Sequence, residues 1–280
     1  MMKKVEILFF LSVLLVACDP FEYHPYDVRL DSKYKDINRK NIERIRAKDK
    51  GNDTVRFAFA GDTQRWYDET EDFVKAVNSR NDIEFVIQGG DLSDFGMKKE
   101  FCMMHDILSK LKVPYVAIVG NHDHLGSGEE IYRAMYGDLN FAFVYGGVKF
   151  LGMNTNALEY DYSTPVPDFH FLEKELRDSV SVRYDRTVAM MHTPPDDFIF
   201  NNNVKYVFQE YLKKFKHLMF CVHAHTHRLM QTDFYGDGII YYGADAMMRR
   251  NYLVFTITKD SYQYEAVSYT HLTLPTILRV

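Results

Sequence analysis

Three cysteines in 280 residues leave no room for a disulfide framework. Cys18 stands at the end of an N-terminal apolar run, so only Cys102 and Cys221 remain to pair with each other. Cys102 falls in a helical pattern and Cys221 in an apolar strand pattern, which favours two buried free thiols. A basic excess is missing as well. Lys and Arg number 34 against 39 Asp and Glu, a net charge of −5, which argues against a nucleic-acid-binding surface. The apolar run at 7–17 is too short to span a bilayer as a stable helix. No internal repeat or low-complexity segment is present. What is there is ordinary for a folded domain: 46% hydrophobic and 26% charged residues, enough for one large domain or a domain with a tail. The 20 Tyr and 21 Phe suit core and sheet positions, or a pocket for an aromatic or sugar group.

The N-terminus reads as an export signal. A basic start (Lys3, Lys4) precedes the apolar run, which ends in Leu15-Val16-Ala17-Cys18. This resembles the bacterial lipobox, in which the cysteine is lipidated and becomes the first mature residue; the alternative is an ordinary secretory signal with an incidental Cys. Residues 1–17 are therefore expected to be a signal peptide. Lipidated Cys18 would anchor the chain to a membrane of the bacterial cell envelope, facing the periplasm or exterior. Residues 18–54 are polar and charged; KYKDINRKNIERIRAKDKGND within them reads as a solvated helix or, more simply, as a tether.

From Thr54 the texture changes. VRFAFAGDTQ, IEFVIQGGDLSD, PYVAIVGNHDH, RTVAMMHTPP and HLMFCVHAHTH each read as a strand running into a loop, with amphipathic helices between them. NFAFVYGGVKFLGMNT reads as a hairpin turning at Gly146-Gly147, and GIIYYG…NYLVFTITKDSYQYEA as a hairpin-like end. VSYTHLTLPT, from Val267, resembles the translation of a sequencing adapter. Residues 267–280 are thus expected to be a non-native tail, with no role for His271; a genuine edge strand is the alternative.

The polar clusters recur where strands end: Asp62 and Gln64, Asp91 and Asp94, Asn121 with His122 and Asp123, His192, then His223, His225 and His227. Ligand sites of open α/β sheets lie outside the carboxyl ends of the strands. Five loops can therefore deliver carboxylates, amides and imidazoles to one place. Such a donor set suits Mn, Fe, Zn, Co or Ni.

In this order, GDTQ, GGDLSD, GNHD, MMHTPP and HAHTH resemble the motifs of the calcineurin-like metallophosphoesterase superfamily over roughly residues 55–266. The resemblance implies an α/β (α+β sandwich) fold of two packed mixed β-sheets flanked by helices, and two divalent metal ions. Asp62, Gln64, Asp91 and His227 would surround one ion. Asp91, Asn121, His192 and His225 would hold the other, Asp91 bridging. His122 would give a proton to the leaving group, with Asp94 orienting and charging it. His124 and Arg228 could touch substrate, as could Arg249 and Arg250. His223 falls outside the motif as a packed or supporting residue, and Asp196 and Asp197 read as caps of the following turn.

Two departures stand out. Gln64 replaces a His that the family usually carries, a weaker donor that would loosen one metal site. Ala224 replaces a Gly, tolerable if that position does not need a positive φ. Phe95 and Asp123, where protein phosphatases of this kind have Arg and Glu, argue against a phosphoprotein substrate. The implied activity is hydrolysis of a small phosphomonoester or phosphodiester by metal-bound hydroxide. A metal-binding lipoprotein without turnover is the competing reading.

Overall fold

The computed structural model describes residues 27–49, 51, 54–178 and 182–270. The signal run, Cys18 and His271 lie outside them. One sheet is built from β1 (Val55–Ala60), β2 (Phe85–Gln88), β3 (Tyr115–Ala117), β10 (Asn251–Ile257) and β11 (Tyr262–Ser268), in the order β11-β10-β1-β2-β3. The other holds β4 (Phe141–Tyr145), β5 (Val148–Met153), β6 (Arg186–Met191), β7 (Leu218–His223), β8 (Met230–Thr232) and β9 (Tyr241–Gly243), in the order β4-β5-β6-β7-β9-β8. Both are mixed: β1-β2-β3 and β5-β6-β7-β9 run parallel, with antiparallel strands at the flanks.

Alternation along the strands explains the layering. Phe57 and Phe59 of β1 point into the space between the sheets, where Phe85, Phe143, Phe150, Phe220 and Phe255 meet them. Phe57 lies 5.4 Å from Phe85 and 5.3 Å from Phe255, centroid to centroid. Much of the phenylalanine is thus core, each ring worth roughly 2–3 kcal/mol of transfer free energy. Ala58 and Ala60 of the same strand face outward, onto α2 (Tyr67–Asn78), α3 (Lys98–Leu108) and α4 (Gly128–Tyr136). On the other sheet Cys221 and Ala189 face outward onto α5 (Phe169–Asp178) and α6 (Lys205–Lys213). The result is a four-layer αββα sandwich. Cys102 and Cys221 are both free, and burial pushes their thiols up, Cys102 to about 11, so neither is reactive near neutral pH.

Three expectations need correction. Residues 37–46, read as part of a tether, form a packed helix, α1 (Ile37–Arg46), that buries Ile37, Ile42 and Ile45. Its Asn38 mimics a neighbouring strand: Nδ2 donates to the Ala117 carbonyl at 2.8 Å and Oδ1 accepts from the Ala117 N–H at 2.9 Å, closing the edge at β3. The charge-rich sequence around three isoleucines concealed this face. Second, β9 does not pair with β10: it lies parallel to β7 in the other sheet, and the terminal hairpin is β10–β11 alone. Third, the expected tail begins inside a strand. β11 includes Val267 and Ser268, and the Tyr269 hydroxyl donates to the Glu69 carbonyl at 3.1 Å. The turn at Gly146-Gly147 is as read, with φ of 54° and 72°. Among the described residues no helix is long and apolar enough to cross a membrane.

Candidate active site

The loops after β1, β2 and β3 of one sheet and after β6 and β7 of the other open at the same edge of the sandwich. The backbone bends hard there. Asp62, Asp91, His225 and His227 all have positive φ, between 42° and 65°. Each such residue costs on the order of 1 kcal/mol or more, a strain that folds retain chiefly at functional sites. Ala224 is spared: its φ is not positive, and its methyl fills the space over Gly61, where an added Cβ would come within 2.7 Å of it. His225, one residue on, takes the left-handed conformation instead.

Around Asn121 three lone pairs converge. Its Oδ1 lies 3.1 Å from His192 Nε2 and 3.0 Å from His225 Nδ1, and Asp91 Oδ1 lies 3.3 Å from His192 Nε2. His192 Nδ1 faces the Gly89 carbonyl at 2.8 Å, so the neutral ring donates there and turns an unprotonated Nε2 toward the oxygens. An acceptor facing acceptors is tolerable only if a cation or a proton sits between them. Burial opposes charge on His192, but Asp91 and Asp62 outweigh it and push its pKa up to about 9. That proton demand is what a divalent cation would satisfy. His225 Nε2 is steadied by Asp197 Oδ1 at 3.3 Å; Asp197 also caps the turn, accepting from the Ile199 N–H.

On the other side of Asp91, Asp62 Oδ1 is buried without a hydrogen bond, 3.2 Å from His227 Nε2, and Asp62 Oδ2 accepts from the His225 N–H at 3.1 Å. The Asp62 carboxylate beside it raises the pKa of His227. Gln64 Nε2 donates to Asp91 Oδ2 at 3.1 Å, which leaves Gln64 Oε1 buried and unpartnered. The amide can either hold Asp91 or turn its oxygen toward a ligand, but not both. Burial disfavours a charged Asp91, yet His192 and His122 hold its pKa down at about 2, so it is ionised at neutral pH. Asp62, Asp91 and His192 offer donor atoms within 4.8 Å of one another. With two orphaned buried oxygens beside them, these residues fit a divalent cation.

His122 is placed differently from the expectation. Its Nδ1 meets the main-chain carbonyl of Asp94 at 2.8 Å, while the Asp94 carboxylate stands 3.6 Å away and is bonded to Arg65. Asp94 thus orients the imidazole through its backbone. The His122 N–H donates to Asp91 Oδ1 at 3.0 Å, tying this loop to the shared carboxylate. Arg65 did not stand out in the sequence, and Asp123 stood in its strand-end cluster without an assigned role. Asp123 is fully buried and accepts from the Leu92, Ser93 and Gly120 N–H groups and the Ser93 hydroxyl, stapling the Asp91 loop to the Asn121 loop. Burial and the charge on Asp91 push its pKa up. Its place in the strand-end cluster does not say what it holds; only the fold does.

The remaining candidates fall on either side of the line. His223 is buried, its Nδ1 on the Ala224 carbonyl at 2.9 Å, and burial depresses it to about 4: a packed residue beneath the site. His124 is not open to substrate, because its ring packs on Tyr160 at 5.2 Å with Nδ1 3.3 Å from Glu129. Arg228 is exposed beside His227. Arg250 is committed to Asp72 and Glu69 on α2.

A two-sheet sandwich with this donor cluster at one edge is the architecture of metal-dependent phosphoesterases. Residues 55–229 match the family model of calcineurin-like phosphoesterases, and the chain belongs to that family. Among solved structures it is similar in fold to the purple acid phosphatase PPD1 of yellow lupin (Lupinus luteus) seeds, with 13% identity and a TM-score of 0.59. That match covers 78% of this chain and 52% of the lupin chain, so this chain spans about half its length. It is similar likewise to GAP50, the anchor in the inner membrane complex of Plasmodium (12% identity, TM-score 0.56, covering 78% and 85%). A third is TT1561 of Thermus thermophilus (13%, 0.54, covering 77% and 99%). No curated protein matches the sequence significantly.

Proposed function

We propose that the chain is an exported, lipid-anchored phosphoesterase with two divalent ions that hydrolyses a phosphomonoester or phosphodiester. Asp62, Gln64, Asp91 and His227 would hold one ion and Asp91, Asn121, His192 and His225 the other. Two such ions supply Lewis acidity to a phosphoryl oxygen and lower the pKa of a coordinated water.

The chain's own residues do the rest. His122, fixed at Nδ1 by the Asp94 carbonyl, has Nε2 left to protonate the departing oxygen. Arg65, held by Asp94 and half exposed, sets a positive charge beside that imidazole, suited to a phosphoryl oxygen. The observation that carries the reading is the bond from the His122 N–H to Asp91 Oδ1. One carboxylate thereby locates both the cation cluster and a histidine that is not a ligand. A metal carrier would use Asp91 but has no use for His122.

Export and the lipid anchor rest on the Leu15–Cys18 sequence. The test is Asp91→Asn, checked for fold by circular dichroism and assayed on p-nitrophenyl phosphate and bis-p-nitrophenyl phosphate with Mn, Zn, Fe and Mg. Turnover should fall at least a hundredfold; equal turnover by wild type and variant refutes the assignment.

A further inference from the structure

Exposed apolar side chains stand on the loops that build the site. Eleven large hydrophobic side chains are exposed among the described residues, and four of them, Phe95, Leu125, Phe198 and Leu229, lie on the loops after β2, β3, β6 and β7 that build the site. Phe95 follows Asp94 and is 61% exposed; Phe198 follows Asp197 and is 70% exposed. Leu125 and Leu229 stand a few residues beyond His122 and His227, and Met248 follows Met247, whose N–H donates to the Asp62 carbonyl at 3.1 Å. Tyr162, on the loop after β5, is exposed next to Phe198, its hydroxyl donating to the Phe198 carbonyl at 2.7 Å. The loops of Phe95 and Leu125 touch backbone to backbone: a Cβ at Gly96 would fall 1.8 Å from the Leu125 carbonyl oxygen. Scattered exposed hydrophobics need no explanation, but a set gathered around a polar centre does.

The chain also enters the domain here. Asp27, the first described residue, is paired with Lys98 Nζ at 2.7 Å, at the start of α3. The same turn holds Glu100, whose Oε2 accepts from the Phe95 N–H at 2.9 Å. Cys18 lies nine residues before Asp27, a reach of at most about 30 Å when fully extended. A lipid on Cys18 would therefore hold these loops close to the bilayer.

We propose that the substrate is a lipid phosphate ester taken at the membrane surface, with the phosphate on the cation cluster and the hydrocarbon on the Phe95, Leu125, Phe198 and Leu229 collar. This rests on the phosphoesterase reading above and names its substrate class. An amphiphile matches a polar centre ringed by apolar side chains, whereas a soluble sugar phosphate or nucleotide leaves the ring in water.

The full chain is assayed on butyl, hexyl and octyl phosphates, and on the matching p-nitrophenyl alkyl phosphodiesters, below their micellar concentrations. Wild type should show kcat/KM rising at least tenfold from butyl to octyl in the ester class it turns over. In Phe95→Ser/Phe198→Ser that octyl-to-butyl ratio should collapse to within threefold of one. Both side chains are exposed, so the fold is not at stake, and Phe198→Ser alone serves as the milder variant. A second readout is flotation of the unlipidated Cys18→Ser chain with phosphatidylcholine vesicles containing phosphatidic acid, reduced by the same double substitution. A flat chain-length profile with active enzyme overturns the inference and spares the phosphoesterase reading. No turnover of any ester, p-nitrophenyl phosphate included, overturns that reading first.

Discussion

His122 leans on the main-chain carbonyl of Asp94, at 2.8 Å, and not on its carboxylate, which Arg65 occupies. A backbone acceptor cannot be removed by changing the side chain. Asp94→Asn should therefore lower kcat less than tenfold, while His122→Ala should lower it ~10²–10⁴-fold with both ions retained. Steady-state kinetics and metal analysis on the same preparations check this; equal losses would mean that the carboxylate does the orienting.

Arg65 should act through the substrate. Arg65→Ala is expected to raise KM for small phosphate esters about tenfold, the ~1.4 kcal/mol of one modest charge-assisted contact, with little change in metal content. An unchanged KM would leave Arg65 as a partner of Asp94 alone.

Gln64 both holds Asp91 and leaves an oxygen orphaned. Replacing it with histidine restores an imidazole donor, so Gln64→His should tighten the weaker metal site roughly tenfold, in line with the effects of changes around metal centres. Metal content after gel filtration reads this directly. A lower content in the variant would show that the bond to Asp91 matters more than the ligand.

Ala224 packs its methyl over Gly61 at a non-positive φ. Ala224→Gly should leave activity within twofold and cost about 1 kcal/mol through the lost methyl and added backbone freedom. His223→Ala should cost far less activity than His225→Ala or His227→Ala, since His223 packs beneath the site.

Away from the site, His105 on α3 is half-buried with Nδ1 2.7 Å from the Tyr115 hydroxyl, and this partial burial lowers its pKa from 6.5. The folded state binds its proton less readily than the unfolded state. Its contribution is therefore fully present above pH 6.5 and is lost as pH falls from there through the lower folded-state pKa. Melting temperatures from pH 7.5 to 5 should drop less steeply for His105→Gln than for wild type.

The five strand-to-loop stretches determined the sandwich and the donor set, because strand alternation and clustered carboxylates and imidazoles are local in sequence. HAHTH carried its own ambiguity, three imidazoles at equal spacing. The backbone resolved it, turning His225 and His227 through positive φ toward Asp62 and Asn121 and leaving His223 in the core. What stayed hidden was long-range. Asp123 bonds 30 residues back to Ser93, Arg65 crosses to Asp94, and Asn38 reaches Ala117 from a helix that looked like a tether. Phe95, Leu125, Phe198 and Leu229 are likewise ordinary one by one, and only the tertiary structure brings the loops that carry them to one edge of the sandwich. Local patterning specifies which groups a loop carries; which loops meet is decided by the packing of two sheets, a property no single segment encodes.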